Sequence, residues 1–129
     1  MAQQKKLTGS SLVAAAAVAI VGDIDLGPAP FTGATATGAT QATAYQITAV
    51  NTKFGTVAAG TGAILPPATV TSPGDELVVA NFGANALTLY PAVGGTIDNG
   101  AANASVSIAA NGTKIFKCLD NAGLGWVSK

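Results

Sequence analysis

The sequence of 129 residues contains no histidine, and charged residues make up only 9% of it. Histidine is the usual general base and the commonest metal ligand, so its absence removes most catalytic and metal-binding arrangements. The six acidic residues form no spaced set of ligands, and the glycine-rich stretches lack the lysine-bearing pattern of a phosphate-binding loop. We therefore expect neither an enzyme nor a cofactor or metal site.

Positive charge is sparse as well, because the chain has no arginine and its six lysines only balance its six acidic residues. Binding to a nucleic-acid backbone needs clustered cationic side chains. The lysines are instead scattered, at positions 5, 6, 53, 114, 117 and 129. The sequence therefore argues against a nucleic-acid partner. A surface with so little charge is prone to association, which favours protein partners.

Cysteine occurs once, as Cys118, so the chain cannot form an intramolecular disulfide. Cys118 lies between apolar neighbours in the segment KIFKCLD, and no histidine is available to activate it. We expect it to be a small buried hydrophobic residue.

Aromatic residues make up only 5% of the chain, and alanine supplies much of the 49% hydrophobic fraction. One copy can therefore bury little apolar area, which predicts a subunit of an oligomer. We expect the large side chains to lie in the core or at a subunit interface, and a sugar-stacking platform is the alternative. The residues concerned are Phe82, Tyr90, Phe116 and Trp126.

The N-terminal region, residues 1–40, contains the longest apolar run of the chain at residues 12–21. Two preceding lysines make this region similar to a signal peptide, but ten apolar residues are too few to span a bilayer. We interpret it as a partner-binding arm followed by a Gly/Thr/Pro linker, and both a helix and a strand are compatible with the run. The apolar side chains assigned to binding are Leu12, Val13, Val18, Ile20 and Val21.

Residues 41–129 alternate short apolar runs with turn signals, which predicts seven or eight strands and no helix. The runs at 77–82 and 87–90 are joined by Gly83-Ala84-Asn85, which predicts a hairpin with Val79 facing inward, or Val78 if the phase is shifted. The segment ASVSIAA predicts a strand with Val106 and Ile108 facing inward. The Asn111-Gly112 pair that follows is a second hairpin signal. The expected fold is all-β, a small antiparallel sandwich or barrel of jelly-roll-like form with an extended N-terminal arm.

Four segments follow one another in residues 41–128: LPPAT, GDELVVANFGANALTLYP, GGTIDNGAANASVSI and a closing GWVS. This order resembles a small β domain of tailed-bacteriophage virion proteins. The resemblance covers most of the chain, and proteins of this kind include capsid decoration (cement) proteins and head fibres.

The resemblance implies a non-enzymatic structural protein on the outer capsid surface of a virion. It implies a homotrimer that binds the major capsid protein and stabilises the capsid by bridging capsomers, with the N-terminal arm lying along the capsid. The alternatives are a head-fibre or tail-fibre adhesin that binds a host-surface glycan through Trp126 or Tyr90, and a secreted carbohydrate-binding protein.

Overall fold

The computed structural model describes residues 33–120 and 124–129, so the predicted arm side chains at positions 12–21 lie outside the described residues. The described part is rich in strands and contains no helix. The ten strands in it are β1 (Ala34–Thr35), β2 (Tyr45–Gln46), β3 (Asn51–Thr56), β4 (Gly62–Ile64), β5 (Glu76–Asn81), β6 (Leu87–Tyr90), β7 (Thr96–Ile97), β8 (Val106–Ile108), β9 (Gly112–Cys118) and β10 (Gly125–Ser128).

The strands form two sheets, and the chain passes from one sheet to the other at every connection from β1 to β9. The larger sheet has the order β1-β3-β5-β9-β10-β7, and the smaller sheet has the order β2-β4-β6-β8. Parallel pairs join β1 to β3 and β3 to β5 in the larger sheet, and β2 to β4 and β4 to β6 in the smaller one. Antiparallel pairs join β9 to both β5 and β10, and β6 to β8. The sheets are therefore mixed, and the prediction of antiparallel pairing is correct only for these later strands.

The predicted hairpin between residues 77–82 and 87–90 is wrong, because β5 lies in the larger sheet and β6 in the smaller one. The same correction applies at Asn111-Gly112, which joins β8 of the smaller sheet to β9 of the larger. The Asn111-Gly112 segment makes a tight turn, since Asn111 has a φ of 62° and Gly112 N donates to Ala109 O at 2.9 Å, whereas residues 83–85 form a bend. Both segments cross between the sheets instead of reversing the chain within one.

The reason for the crossing is visible in the connection after β5, which stacks on the equivalent connection after β3. Asn85 Nδ2 donates to Val57 O at 3.0 Å, and Thr88 N donates to Thr61 O at 3.3 Å. A Cβ on Gly83 would lie 2.6 Å from Val57, so only glycine allows this approach without a shift. The β3–β4 and β5–β6 units thus follow the same path, a strand of the larger sheet, a crossing and a strand of the smaller sheet. The second unit lies beside the first with its strands parallel to those of the first.

The side chain of Asn81 ties the two sheets together from inside the core. It is fully buried at the end of β5. Its Nδ2 donates to Ile108 O and Asn85 O at 3.0 and 2.8 Å, and its Oδ1 accepts from Gly83 N at 2.9 Å. A buried amide is stable only when its hydrogen bonds are made, and these partners lie on the smaller sheet and the crossing segment.

The core is formed by inward-facing residues of both sheets, and the predicted strand phase is confirmed. Val79 is fully buried whereas Val78 is half-buried on the other face, and Ile108 is buried between exposed neighbours. The predicted burial of Cys118 is also confirmed. The cluster draws Phe54 and Leu77 from the larger sheet, and its complete membership is Ala36, Ile47, Phe54, Val57, Ala63, Leu65, Leu77, Val79, Leu87, Leu89, Ile97, Ile108, Phe116, Cys118 and Trp126.

The segment before residue 41, which the sequence assigns to the linker, contributes to the larger sheet from residue 34 onward. Ala34 is paired with Phe54, and Ala36 N donates to Thr56 O at 2.9 Å. Phe31–Lys129 is one compact unit.

Candidate binding site

The four aromatic residues singled out in the sequence fall into three environments. Phe116 and Trp126 are core residues with exposures of 0% and 1%. Tyr90 is half-buried, and its hydroxyl donates to Ala39 O at 3.3 Å. Phe82 is 52% exposed and lies on the described surface.

Sugar stacking needs an accessible ring face, and the two rings proposed for it, Trp126 and Tyr90, differ in how far they are covered. Trp126 is enclosed by the core, and its Nε1 has no hydrogen-bond partner among the described residues. The Tyr90 ring lies against Gly62, where an added Cβ would be 3.1 Å from Tyr90 Cε2. Trp126 therefore offers no free platform of the kind that glycans stack on, while Tyr90 remains partly exposed.

Phe82 projects from the end of β5 and is held there by the backbone on both sides. Phe82 N donates to Phe54 O at 2.8 Å, and the following Gly83 is fixed by the buried Asn81. Lys53 of the neighbouring strand β3 places its Nζ 5.3 Å from the Phe82 ring centroid, within the range of a cation–π contact. We call Phe82 together with Lys53 the Phe82 knob.

An open apolar groove of about 530 Å³ lies at the opposite end of β5. Its walls come from three separate segments: the chain leaving β2, the chain leaving β4, and the start of β5. Val50 and Val70 on its walls are 53% and 69% exposed. The complete lining is Gln46, Ile47, Thr48, Ala49, Val50, Pro66, Pro67, Val70, Thr71, Asp75, Glu76 and Leu77.

The walls of the groove are held by local hydrogen bonds and by proline. Val70 N donates to Pro67 O at 3.0 Å, which closes a turn after the two prolines. Val78 N donates to Val50 O at 2.8 Å and fixes the opposite wall to β5. Since proline has a fixed φ, little of this wall has to be ordered when a partner binds.

The groove is acidic on one side, where Asp75 and Glu76 form its lip. The Asp75 carboxylate accepts a hydrogen bond from Ser72 N at 2.8 Å. Glu76 lies 3.6 Å from Lys117 Nζ on the outer face of the larger sheet. Since Lys117 offsets one of the two carboxylates, this side of the groove carries a net negative charge beside an apolar floor.

Other polar clusters of the described chain are structural. Ser128 Oγ lies 2.7 Å from Asp98 Oδ2 and 3.4 Å from Lys114 Nζ, and Ser128 N donates to Asp98 Oδ1 at 2.6 Å. These contacts fasten β10 to the turn after β7. Burial raises the pKa of the Cys118 thiol, which opposes formation of a thiolate nucleophile. No group of three His, Cys, Asp or Glu side chains that could hold a metal ion occurs in residues 33–120 and 124–129.

The chain matches no protein-family model, no curated protein and no solved structure. Within the part that the structure describes, no helix is long and apolar enough to cross a membrane. The resemblance to phage virion domains therefore rests on the order of the sequence motifs.

The sequence motifs did not reveal the groove, because its three wall segments come together only when the β3–β4 and β5–β6 units pack side by side. A partial signal was present in the Pro66-Pro67 pair followed closely by Val70, because proline marks a break between strands and leaves apolar side chains in a connecting segment. Phe82 was singled out in the sequence only as a large aromatic residue. The phase that places Val79 inward places Phe82, three residues later, on the outer face, and this was the signal that distinguished it from the buried Phe116.

Proposed function

We propose that this chain is a non-enzymatic structural protein of a phage virion that decorates the outer capsid surface as an oligomer. In this proposal a homotrimer binds the major capsid protein and bridges neighbouring capsomers. The support from the sequence is the ordered series of motifs across residues 41–128.

The observation that carries this proposal is the number of large apolar side chains on a surface that has little charge. Val50, Val70 and Phe82 are each more than half exposed. Val50 and Val70 lie together on the walls of the apolar groove, and contiguous exposed apolar surfaces are typical of protein-binding sites. The full set of exposed large hydrophobic residues in the described chain is Val50, Val70, Phe82, Val93, Leu119 and Val127.

We further propose that the two sheets pack face to face as a sandwich. The core cluster supports this arrangement, because it joins Phe54 and Phe116 of the larger sheet with Leu87 and Leu89 of the smaller one. A compact two-layer module with a separate N-terminal arm is suited to a protein whose mechanism is binding alone.

The test is deletion of residues 1–26, followed by sizing of the protein and by binding to phage particles stripped of it. We expect an oligomer that remains folded and no longer binds particles, because residues 12–21 are assigned to the capsid contact. Full-length protein that does not rebind stripped particles would contradict the capsid function. A truncated protein that binds as well as the full chain would contradict the role of the arm.

A further inference from the structure

We propose that the Phe82 knob of one copy inserts into the apolar groove of a second copy, so that chains associate head to tail. This inference rests on the oligomer in the proposed function but does not require that the oligomer bind a capsid. It assigns the copy-to-copy contact to two features that lie at opposite ends of β5.

The sizes of the two features are compatible. Cavities of about 300–1,000 Å³ hold ligands of several rings, so a groove of about 530 Å³ accepts a phenyl ring with neighbouring side chains. The ring would be enclosed by Val50, Val70 and the two prolines, all apolar. Aromatic side chains are enriched in the buried centres of protein interfaces.

The charges of the two features are complementary. The knob carries Lys53 next to its ring, and the groove carries Asp75 and Glu76 on its lip. Lys117 Nζ lies 3.6 Å from the Glu76 carboxylate, so the lip is net negative through Asp75. Insertion of the ring would bring the ammonium group toward these carboxylates. Burial of Phe82 would supply affinity, and the charges would favour one orientation of the two copies.

The position of the two features on one strand makes the contact intermolecular. The strand from Glu76 to Phe82 spans about 20 Å at about 3.3 Å per residue, so a copy cannot fill its own groove with its own knob. A contact between two different patches of the same chain is heterologous, and it joins copies in a ring or an open chain.

The backbone of both features is held by hydrogen bonds before contact. The knob is fixed by the Phe82 N to Phe54 O bond and by the Gly83 turn, and the groove is fixed by Pro67 and by the Val78 N to Val50 O bond. Little conformational entropy is then lost on association.

The test is sedimentation velocity of the full chain over a range of concentrations, with one knob variant and one groove variant. We expect Phe82→Ala and Val70→Asp each to raise the dissociation constant at least about tenfold, as for a central interface residue. Leu119→Ala and Val93→Asp are the matched controls, because both positions are exposed and lie outside the knob and the groove. Near-ultraviolet circular dichroism of each variant checks that it is folded.

Mixing the two variants tests the head-to-tail orientation directly. The Phe82→Ala chain keeps an intact groove and the Val70→Asp chain keeps an intact knob, so the mixture should form one-to-one pairs that neither variant forms alone. No pairing on mixing, or variants that associate as well as the controls, would overturn the proposal.

Different results would overturn the knob-and-groove contact and the proposed decoration of a capsid. Wild-type chains that are monomeric up to millimolar concentration, yet bind phage particles, would overturn the knob-and-groove contact and keep decoration. Chains that associate as described but never bind particles would keep the contact and overturn decoration.

Discussion

The two sheets differ sharply in where charge is placed. Every charged residue within a described strand belongs to the larger sheet, while the strands of the smaller sheet contain none. The outer face of the smaller sheet carries Thr88, Tyr90 and Ser107 instead. The charged strand residues of the larger sheet are Lys53, Glu76, Lys114 and Lys117.

This difference separates two roles within one small domain. The smaller sheet has short strands and contributes mainly its inward side chains, and its bonds to Asn81 attach it to the larger sheet. The larger sheet provides β5, and the groove and the Phe82 knob lie at the two ends of that strand. We therefore expect changes to its inner face to affect folding and changes to its outer features to affect binding.

The largest expected effect comes from Val79→Asp on the inner face of the larger sheet. The new carboxylate would be buried without a partner, and we expect a loss of more than about 4 kcal/mol in the free energy of unfolding. Val78→Asp is the matched control, since Val78 is adjacent in sequence but half-buried on the outer face. Urea denaturation measures both variants. Equal losses would mean that the two faces of β5 do not differ as described.

Removing the link between the sheets should have the next largest effect. Asn81→Ala leaves Ile108 O and Gly83 N without the side-chain partner that they have in the native chain. We expect a loss of about 2–3 kcal/mol, because buried polar groups would be left unsatisfied. Asn51→Ala, at an exposed position of β3, should change stability by less than about 0.5 kcal/mol. An Asn81→Ala chain as stable as Asn51→Ala would show that the amide does not join the sheets.

The buried thiol of the larger sheet predicts a dependence on pH. Burial raises the pKa of Cys118 above the ordinary value of 9.0, so the folded state holds this proton when the unfolded chain has released it. The stabilisation is complete below pH 9 and is lost as the pH rises above it. Unfolding free energies of the native chain and Cys118→Ala should therefore converge above pH 9. A constant difference between them from pH 7 to pH 10.5 would contradict the burial of the thiol.

The smallest effect is expected at the ion pair of Glu76 and Lys117. Both side chains are close to half exposed, so solvent screens the pair. A double-mutant cycle with Glu76→Gln and Lys117→Met should give a coupling below about 0.5 kcal/mol that falls further in salt. A coupling several times larger would mean that this outer face is buried, as it would be in an undetected interface.

The sequence predicted the strands and their inward faces better than it predicted their partners. Alternation of period two identifies Val79 and Ile108 as inward whichever sheet they join, because it depends only on each strand. The Gly83-Ala84-Asn85 spacing suits a hairpin and a crossing between sheets equally well. The crossing is favoured by the hydrogen bond from the Asn81 side chain to Ile108 O of β8. A contact between residues so distant in sequence leaves no local sequence pattern. The groove could not be predicted for the same reason, since its walls are distant in sequence.

The proposal that this chain decorates a capsid is tested most directly by cryo-electron microscopy of purified particles of a phage that encodes it. The claim predicts density for a strand-rich module on the outer capsid surface, arranged in oligomers at the junctions between capsomers. Density confined to the tail would contradict it and favour the adhesin interpretation, and absence of the protein from purified particles would also contradict it.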